Sequence, residues 1–169
     1  QQLEKWFELG KKYDFGEWVP VDYKEAVKWY CKAAEGGHTK AQNNLGHCYF
    51  EGKGVAKDTR EAVKWYRKAA ESGNAEAQCN LGVCYDLGIG VEKNTLEAEK
   101  WYKKAAAQGN LQSRKELDKR IVAQYFADKK NQQKHQEAKL SGREAEKKIS
   151  KQQLEKWFEL GKKYDFGEW

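Results

Sequence analysis

Three kinds of residue in this chain could carry chemistry: four cysteines, three histidines and two glycine-rich loops. Cys48 and Cys84 fall at one helix position in successive repeats, so helix packing sets their backbones about 8–10 Å apart, beyond disulfide reach. Cys79 and Cys84 lie five apart on one helix and point in different directions. No CxxC or paired-His spacing is present, so no metal or cofactor is expected. Free, mostly buried thiols are the reading that remains, and they favour a reducing, cytoplasmic compartment. His47 beside Cys48 would make a base and nucleophile only if the two side chains converged, yet consecutive helix residues diverge by about 100°. The loops EGKGVAKD (51–58) and LGIGVEKN (87–94) resemble phosphate cradles. They lack the third glycine and preceding strand of a dinucleotide site, and the Gly-Lys-Ser/Thr of a P-loop. They read as tight turns between helices, with Lys57, Asp58 and Lys93 on the loop surface or capping the next helix.

The elements that position these residues repeat. Residues 39–74 and 75–110 match at 22 of 36 positions without a gap, and the same register fits 3–38. In each unit, Ala41, Leu45, Cys48 and Tyr49 (or their equivalents) form one apolar helical stripe, and Ala62, Trp65, Tyr66, Ala69 and Ala70 form a second. Gly52, with its counterparts Gly16 and Gly88, predicts the end of each first helix. Gly46 and Gly82 sit mid-helix, where glycine costs roughly 1 kcal/mol against alanine, so close helix approach is the expected compensation. His38 aligns with Asn74 and Asn110 at the turn between repeats, a structural role. A two-helix unit cannot cover its own stripe, and the units are expected to stack into an α-solenoid.

The pattern AxxxLGxxYxxGxGVxKD…EAxxWYxKAAxxGN resembles the SEL-one-like repeat, a relative of the tetratricopeptide repeat. The likeness is full over 39–110 and holds with departures over 3–38, where DFGEWVPVD replaces the loop signature. Trp18 and Pro20 there suggest a modified edge. The resemblance implies an all-α, right-handed solenoid that binds or scaffolds other proteins without catalysis of its own. Cysteine-rich secreted members of the family pair cysteines at positions that here are Ala70 and Gln78. Neither their disulfide framework nor the antibiotic-hydrolysing role suggested for them carries over.

Beyond the array the chain changes character. Leu111, Leu117, Ile121, Tyr125 and Phe126 begin a fourth stripe, but Asp118 replaces the glycine of the signature, which predicts a capping helix. Ser141 and Glu144 fit a capping box, so a new helix is expected from there to about Leu160. The domain plan is thus 1–110 as three repeats (3–38, 39–74, 75–110), 111–151 as cap and basic connecting helix, and 152–169 as half a repeat. That half repeat, QQLEKWFELGKKYDFGEW, is identical to residues 1–18 at all 18 positions. Repeats that have drifted to 22 in 36 do not keep one segment perfect by chance, so the copy is very recent or engineered. The absence of Met and the uncapped start at Gln1 suggest a chain cut from a longer one, a window on 151-residue blocks. Alternatively the second copy pairs with a neighbouring chain. Trp157, Phe158, Leu160, Tyr164, Phe166 and Trp169 are the candidate self-association residues, because six large apolar side chains left in water would forfeit roughly 1.5–3 kcal/mol each.

Charge narrows the partner class. Residues 1–110 carry 17 basic and 16 acidic side chains, 111–151 carry 12 and 6, and 152–169 carry 3 and 4. The net +6 therefore lies in the connector, which lacks interleaved aromatics for stacking bases, and nucleic acid is disfavoured. No run approaches the roughly 18 apolar residues of a membrane span. The candidate partner-binding residues are those off the core stripe of the first helices: Asn44, His47 and Phe50, then Asn80, Val83 and Asp86. Asn44 and Asn80 could grip an extended peptide backbone or could bridge neighbouring helices. The expected function is a protein-interaction scaffold for a protein or peptide. The alternative is a self-assembly module, homo-oligomeric or head-to-tail through 152–169.

Overall fold

The computed structural model describes residues 1–163. Among them the chain forms seven α-helices and no strand. The helices are α1 (Gln2–Phe15), α2 (Tyr23–Glu35), α3 (Thr39–Glu51), α4 (Thr59–Glu71), α5 (Ala75–Leu87), α6 (Thr95–Ala107) and α7 (Leu111–Lys163). Two compact units divide the chain after Lys119.

In the first unit, α1 to α6 form three antiparallel pairs. Every second helix opens the same way. Asp22, Asp58 and Asn94 are extended N-caps whose side chains accept the backbone N–H of Glu25, Glu61 and Glu97 at 3.0 Å. Those glutamates, near the positive end of the helix dipole, also pair with Lys28, Lys64 and Lys100 three residues on. First helices after α1 are capped by the residues at the turn between repeats. His38, Asn74 and Asn110 accept from Ala41, Ala77 and Ser113 at 3.1, 2.8 and 2.9 Å, which is the structural role expected for His38. α1 has no side-chain cap at Gln1. Gly16, Gly52 and Gly88 close the first helices in the left-handed region, as the sequence predicts.

The core follows the two expected stripes. Ala41, Leu45 and Cys48 are buried with Ala26, Tyr30 and Ala33, and Ala77, Leu81 and Cys84 with Ala62, Tyr66 and Ala69. Alanines on the second helices let the pairs approach closely. The signature glycines complete the fit: a β-carbon on Gly10, Gly46 or Gly82 would meet the ring of Tyr30, Tyr66 or Tyr102 at 2.5, 2.7 or 2.8 Å.

Both edges of the array depart from that pattern. Gly54 and Gly90, at positive φ, leave room for the backbone of Tyr23 and Thr59 in the preceding repeat. The equivalent residue of the first repeat is Trp18, also left-handed at φ 64° and 98% exposed. A side chain there occupies the place where the backbone of an upstream repeat would lie. At the other edge α7 starts in the seat of a fourth first helix, with Ser113 buried and Leu117 packed on α6 residues. Asp118 then supplies the side chain that Gly10, Gly46 and Gly82 lack, so no second helix can approach it as Tyr66 approaches Gly46.

Among the described residues, the second unit, from Arg120 onward, is the rest of α7. The helix start expected at Ser141 is absent: α7 passes through Ser141, Gly142 and Glu144 without interruption. One Ser-Gly pair costs a helix interior roughly 1 kcal/mol. The flanking Ala, Glu, Lys and Gln are strong helix formers, and without Pro nothing forces an end.

Candidate functional site

The outer residues of α3 and α5 are the candidate binding face. His47 is exposed, with Nε2 3.9 Å from Glu51 Oε2, and faces away from buried Cys48. Phe50 is half-buried, tilted against Tyr66 at 6.5 Å between ring centroids, with the Lys57 ammonium 5.9 Å from its ring. Val83 is half-buried and packs on the Cys79–Tyr102 cluster. Asp86 is half-buried. Of the two asparagines, Asn80 bridges helices. Asn80 Nδ2 donates to Asn43 Oδ1 at 3.1 Å, and Asn43 Nδ2 in turn donates to Glu76 Oε2 at 3.3 Å, tying α5 to α3. Asn44 lies against the Tyr30 hydroxyl.

Several side chains carry structural weight through contacts that the sequence does not predict. Buried Gln42 and Gln78 donate from Nε2 to the carbonyls of Ala34 and Ala70 at 3.0 and 3.1 Å, joining each first helix to the helix before it. The pair Ala70 and Gln78 is the one where cysteine-rich relatives are expected to carry a disulfide, so a hydrogen bond holds that junction here. Gln108 adds a donor to Gln78 Oε1 at 2.8 Å. Asp14 accepts from the Tyr30 hydroxyl at 3.0 Å and pairs with Lys53 at 2.6 Å, across the first two repeats. The Lys53 ammonium also stands 4.3 Å from the Tyr23 ring. Burial works against that ammonium, yet the bond and charge of Asp14 leave its pKa raised. The motif position of Lys53, within a loop known for its glycines, hid the pair.

The four cysteines are unpaired. Burial pushes the Cys48 thiol up to about 12 and the Cys84 thiol up to about 11. Among the described residues no group of three His, Cys, Asp or Glu is placed to hold a metal ion. No described helix is long and apolar enough to cross a membrane.

The model of the family described as the Sel1 repeat matches residues 7–38, 39–74 and 75–110. The chain belongs to the Sel1 repeat family. Among solved structures it is similar to a protective antigen present in uropathogenic Escherichia coli strains, displaying an SLR fold. Identity there is 47% and the TM-score 0.67, covering 68% of this chain and 25% of that one. This chain therefore spans about a quarter of that antigen's length. A Sel1 repeat protein from Oxalobacter formigenes is 43% identical, with a TM-score of 0.65 over 69% of this chain and 88% of the other. Helicobacter pylori cysteine rich protein B is 27% identical, with a TM-score of 0.54 over 66% and 91%. No curated protein matches the chain. Sel1 repeats generally mediate protein–protein interaction and are typically non-catalytic scaffolds.

Of the six residues expected to self-associate, Trp157, Phe158 and Leu160 are exposed on α7, Trp157 by 73% and Phe158 by 66%. Tyr164, Phe166 and Trp169 lie outside the described residues.

Proposed function

We propose that the three Sel1 repeats form a non-catalytic scaffold that binds a partner protein or peptide across the outer face of α3 and α5. One observation carries the reading. Five of the six buried positions of the two helices hold the same residue in both repeats, as in Ala41 and Ala77, Leu45 and Leu81, Cys48 and Cys84; the sixth is Asn43 in one and Cys79 in the other. Outer positions in the same register differ in chemistry, as in His47 and Val83 or Phe50 and Asp86. Folding constrains the first set; the second is only partly held by packing, at Phe50 and Val83, and keeps exposed surface that a ligand can shape. Asn44 and Asn80 belong to the edge of this face, where the bond from Asn80 to Asn43 ties α5 to α3. Protonated, buried thiols at Cys48 and Cys84 are poor nucleophiles at neutral pH, which favours binding over catalysis. Peptides selected from a random library against the whole chain supply a probe. A photoreactive residue at position 47 should capture them, and one at Lys64, exposed on α4, should not. Equal capture, or capture from position 64 alone, would sink this reading.

A second reading has its own observation in its favour: Leu154, Trp157 and Phe158 stand in water along one stretch of α7. On it, the duplicated segment joins copies of the chain head-to-tail. Light scattering over a concentration series tests it, and a monomer at every concentration would exclude it.

A further inference from the structure

α1 and the end of α7 are one helix in sequence and two in environment. In α1, Phe7 is only 6% exposed, its ring stacked on His38 at 4.6 Å and tilted against Tyr30 at 6.1 Å. Glu4 Oε2 lies 3.0 Å from His38 Nε2. Leu3 packs where a β-carbon on Gly36 would stand, and Gly10 admits the Tyr30 ring. Tyr30, Gly36 and His38 thus form a seat shaped to a particular helix. Residues 152–163 repeat residues 1–12 without a change, so Leu154, Glu155, Trp157, Phe158 and Gly161 are the side-chain set that this seat already accepts. On α7 the first four of these are exposed.

We infer that residues 152–163 are a second occupant of the α1 seat, and that the partner they fit is a second copy of this chain. The inference rests on the self-association reading above and names its surface. The arrangement is an exchange: the α7 end of one copy replaces α1 of the next, a heterologous contact that can propagate. Exchange buries the same side chains that it exposes, so contacts alone do not drive it. A seven-residue connection, residues 16–22, tethers α1 beside its seat. A short tether acts as a local concentration on the order of millimolar. α1 therefore holds the seat in dilute solution, and the α7 end takes it when α1 is weakened or chains are concentrated.

Gly10→Leu in the full chain tests this, because a side chain at that position meets the Tyr30 ring while Gly161 leaves the α7 end able to seat. Gly10→Leu should form concentration-dependent oligomers by light scattering and still unfold cooperatively in urea. Adding Gly161→Leu should return the mass to monomer and lower the urea midpoint further. Gly10→Ala, a milder block, should give the same pattern at higher concentration if Gly10→Leu folds poorly. Monomeric single variants overturn the inference: with the midpoint of the double variant they show no second occupant, and with a higher one they place the chain's own α7 end in the seat. If wild type associates through Trp157, as loss on Trp157→Ser would show, yet Gly10→Leu and Gly161→Leu leave its mass unchanged, the seat is wrong and the self-association reading survives.

Discussion

Gly46 and Tyr66 are a matched pair: the ring lies where a β-carbon on residue 46 would come within 2.7 Å of it. Gly10 with Tyr30 and Gly82 with Tyr102 repeat the arrangement. A mid-helix glycine gives up roughly 1 kcal/mol of helix propensity, and the return is an aromatic ring buried against the glycine of the facing helix.

Gly46→Ala should therefore lower stability despite its better propensity, by about 1–3 kcal/mol, as overpacked cores do. Gly142→Ala is the control, since nothing lies within 4 Å of a β-carbon there. That change should leave the array untouched and strengthen α7 by up to ~1 kcal/mol. Urea midpoints and far-ultraviolet ellipticity check both.

The junction glutamines make a second test. Gln78→Ala removes the 3.1 Å donor to the Ala70 carbonyl, which keeps the Gly73 N–H at 3.0 Å, and Gln42→Ala does the same to Ala34, which keeps the Gly37 N–H at 3.0 Å. Because one donor remains on each carbonyl, each should cost about 0.5–1.5 kcal/mol, the net worth of one hydrogen bond. A loss smaller than a few tenths would mean that the backbone donor alone satisfies each carbonyl.

Trp18 bears on how far the array can grow. A copy of residues 75–110 fused directly ahead of Leu3 should stack only when Trp18→Gly is also present. With Trp18 retained, calorimetry should show the added repeat melting separately and at lower temperature. In the Trp18→Gly fusion it should join one cooperative transition at a higher temperature. A single transition in both fusions would refute the block.

Buried thiols and phenols set the alkaline limit. Cys48 and Cys84 hold their protons to about 12 and 11, against 9.0 when exposed, and burial also raises Tyr30 and Tyr66. Above pH 9 the unfolded chain has released thiol protons that the folded chain still binds. Stability should then fall with rising pH, by as much as ~1.4 kcal/mol per pH unit for each such group. The contribution is fully present below pH 9 and is lost as pH approaches 11–12. Cys48→Ala with Cys84→Ala should flatten the urea midpoint between pH 9 and 11, although it lowers the midpoint at pH 7.

What the sequence made legible divides along physical lines. Periodic apolar stripes, terminal glycines and the 36-residue register placed the six helices of the array and most of their buried apolar residues, because each is a local signal repeated three times; Tyr49 and Trp65 of those stripes are only partly buried. The asparagines could be read two ways, and only the structure shows the 3.1 Å contact from Asn80 to Asn43 that joins two helices. Asp14 with Lys53 and Gln78 with Ala70 join residues 39 and 8 apart on different helices, so no local pattern marks them. Ser141 to Glu144 misled because a capping box is a local preference, and a helix already under way needs no new start.

The Asp14 and Lys53 pair invites a last test, because the next repeat solves the same position differently. Residues 14 and 53 correspond to Phe50 and Ile89 one repeat on, so an ion pair in one junction stands where two apolar residues stand in the other. Lys53→Ile alone should leave the Asp14 carboxylate, shielded between repeats, with only the Tyr30 hydroxyl, and should cost about 1–3 kcal/mol. Asp14→Phe alone strands the Lys53 ammonium against the Tyr23 ring and removes the acceptor for Tyr30, and should cost a similar amount. The double variant should recover at least half of the summed loss, since a buried pair replaced by well-packed apolar residues is often neutral. Urea unfolding of the four chains in a double-mutant cycle measures the coupling. Strict additivity would mean that the two residues act independently and that the junction gains nothing from their contact.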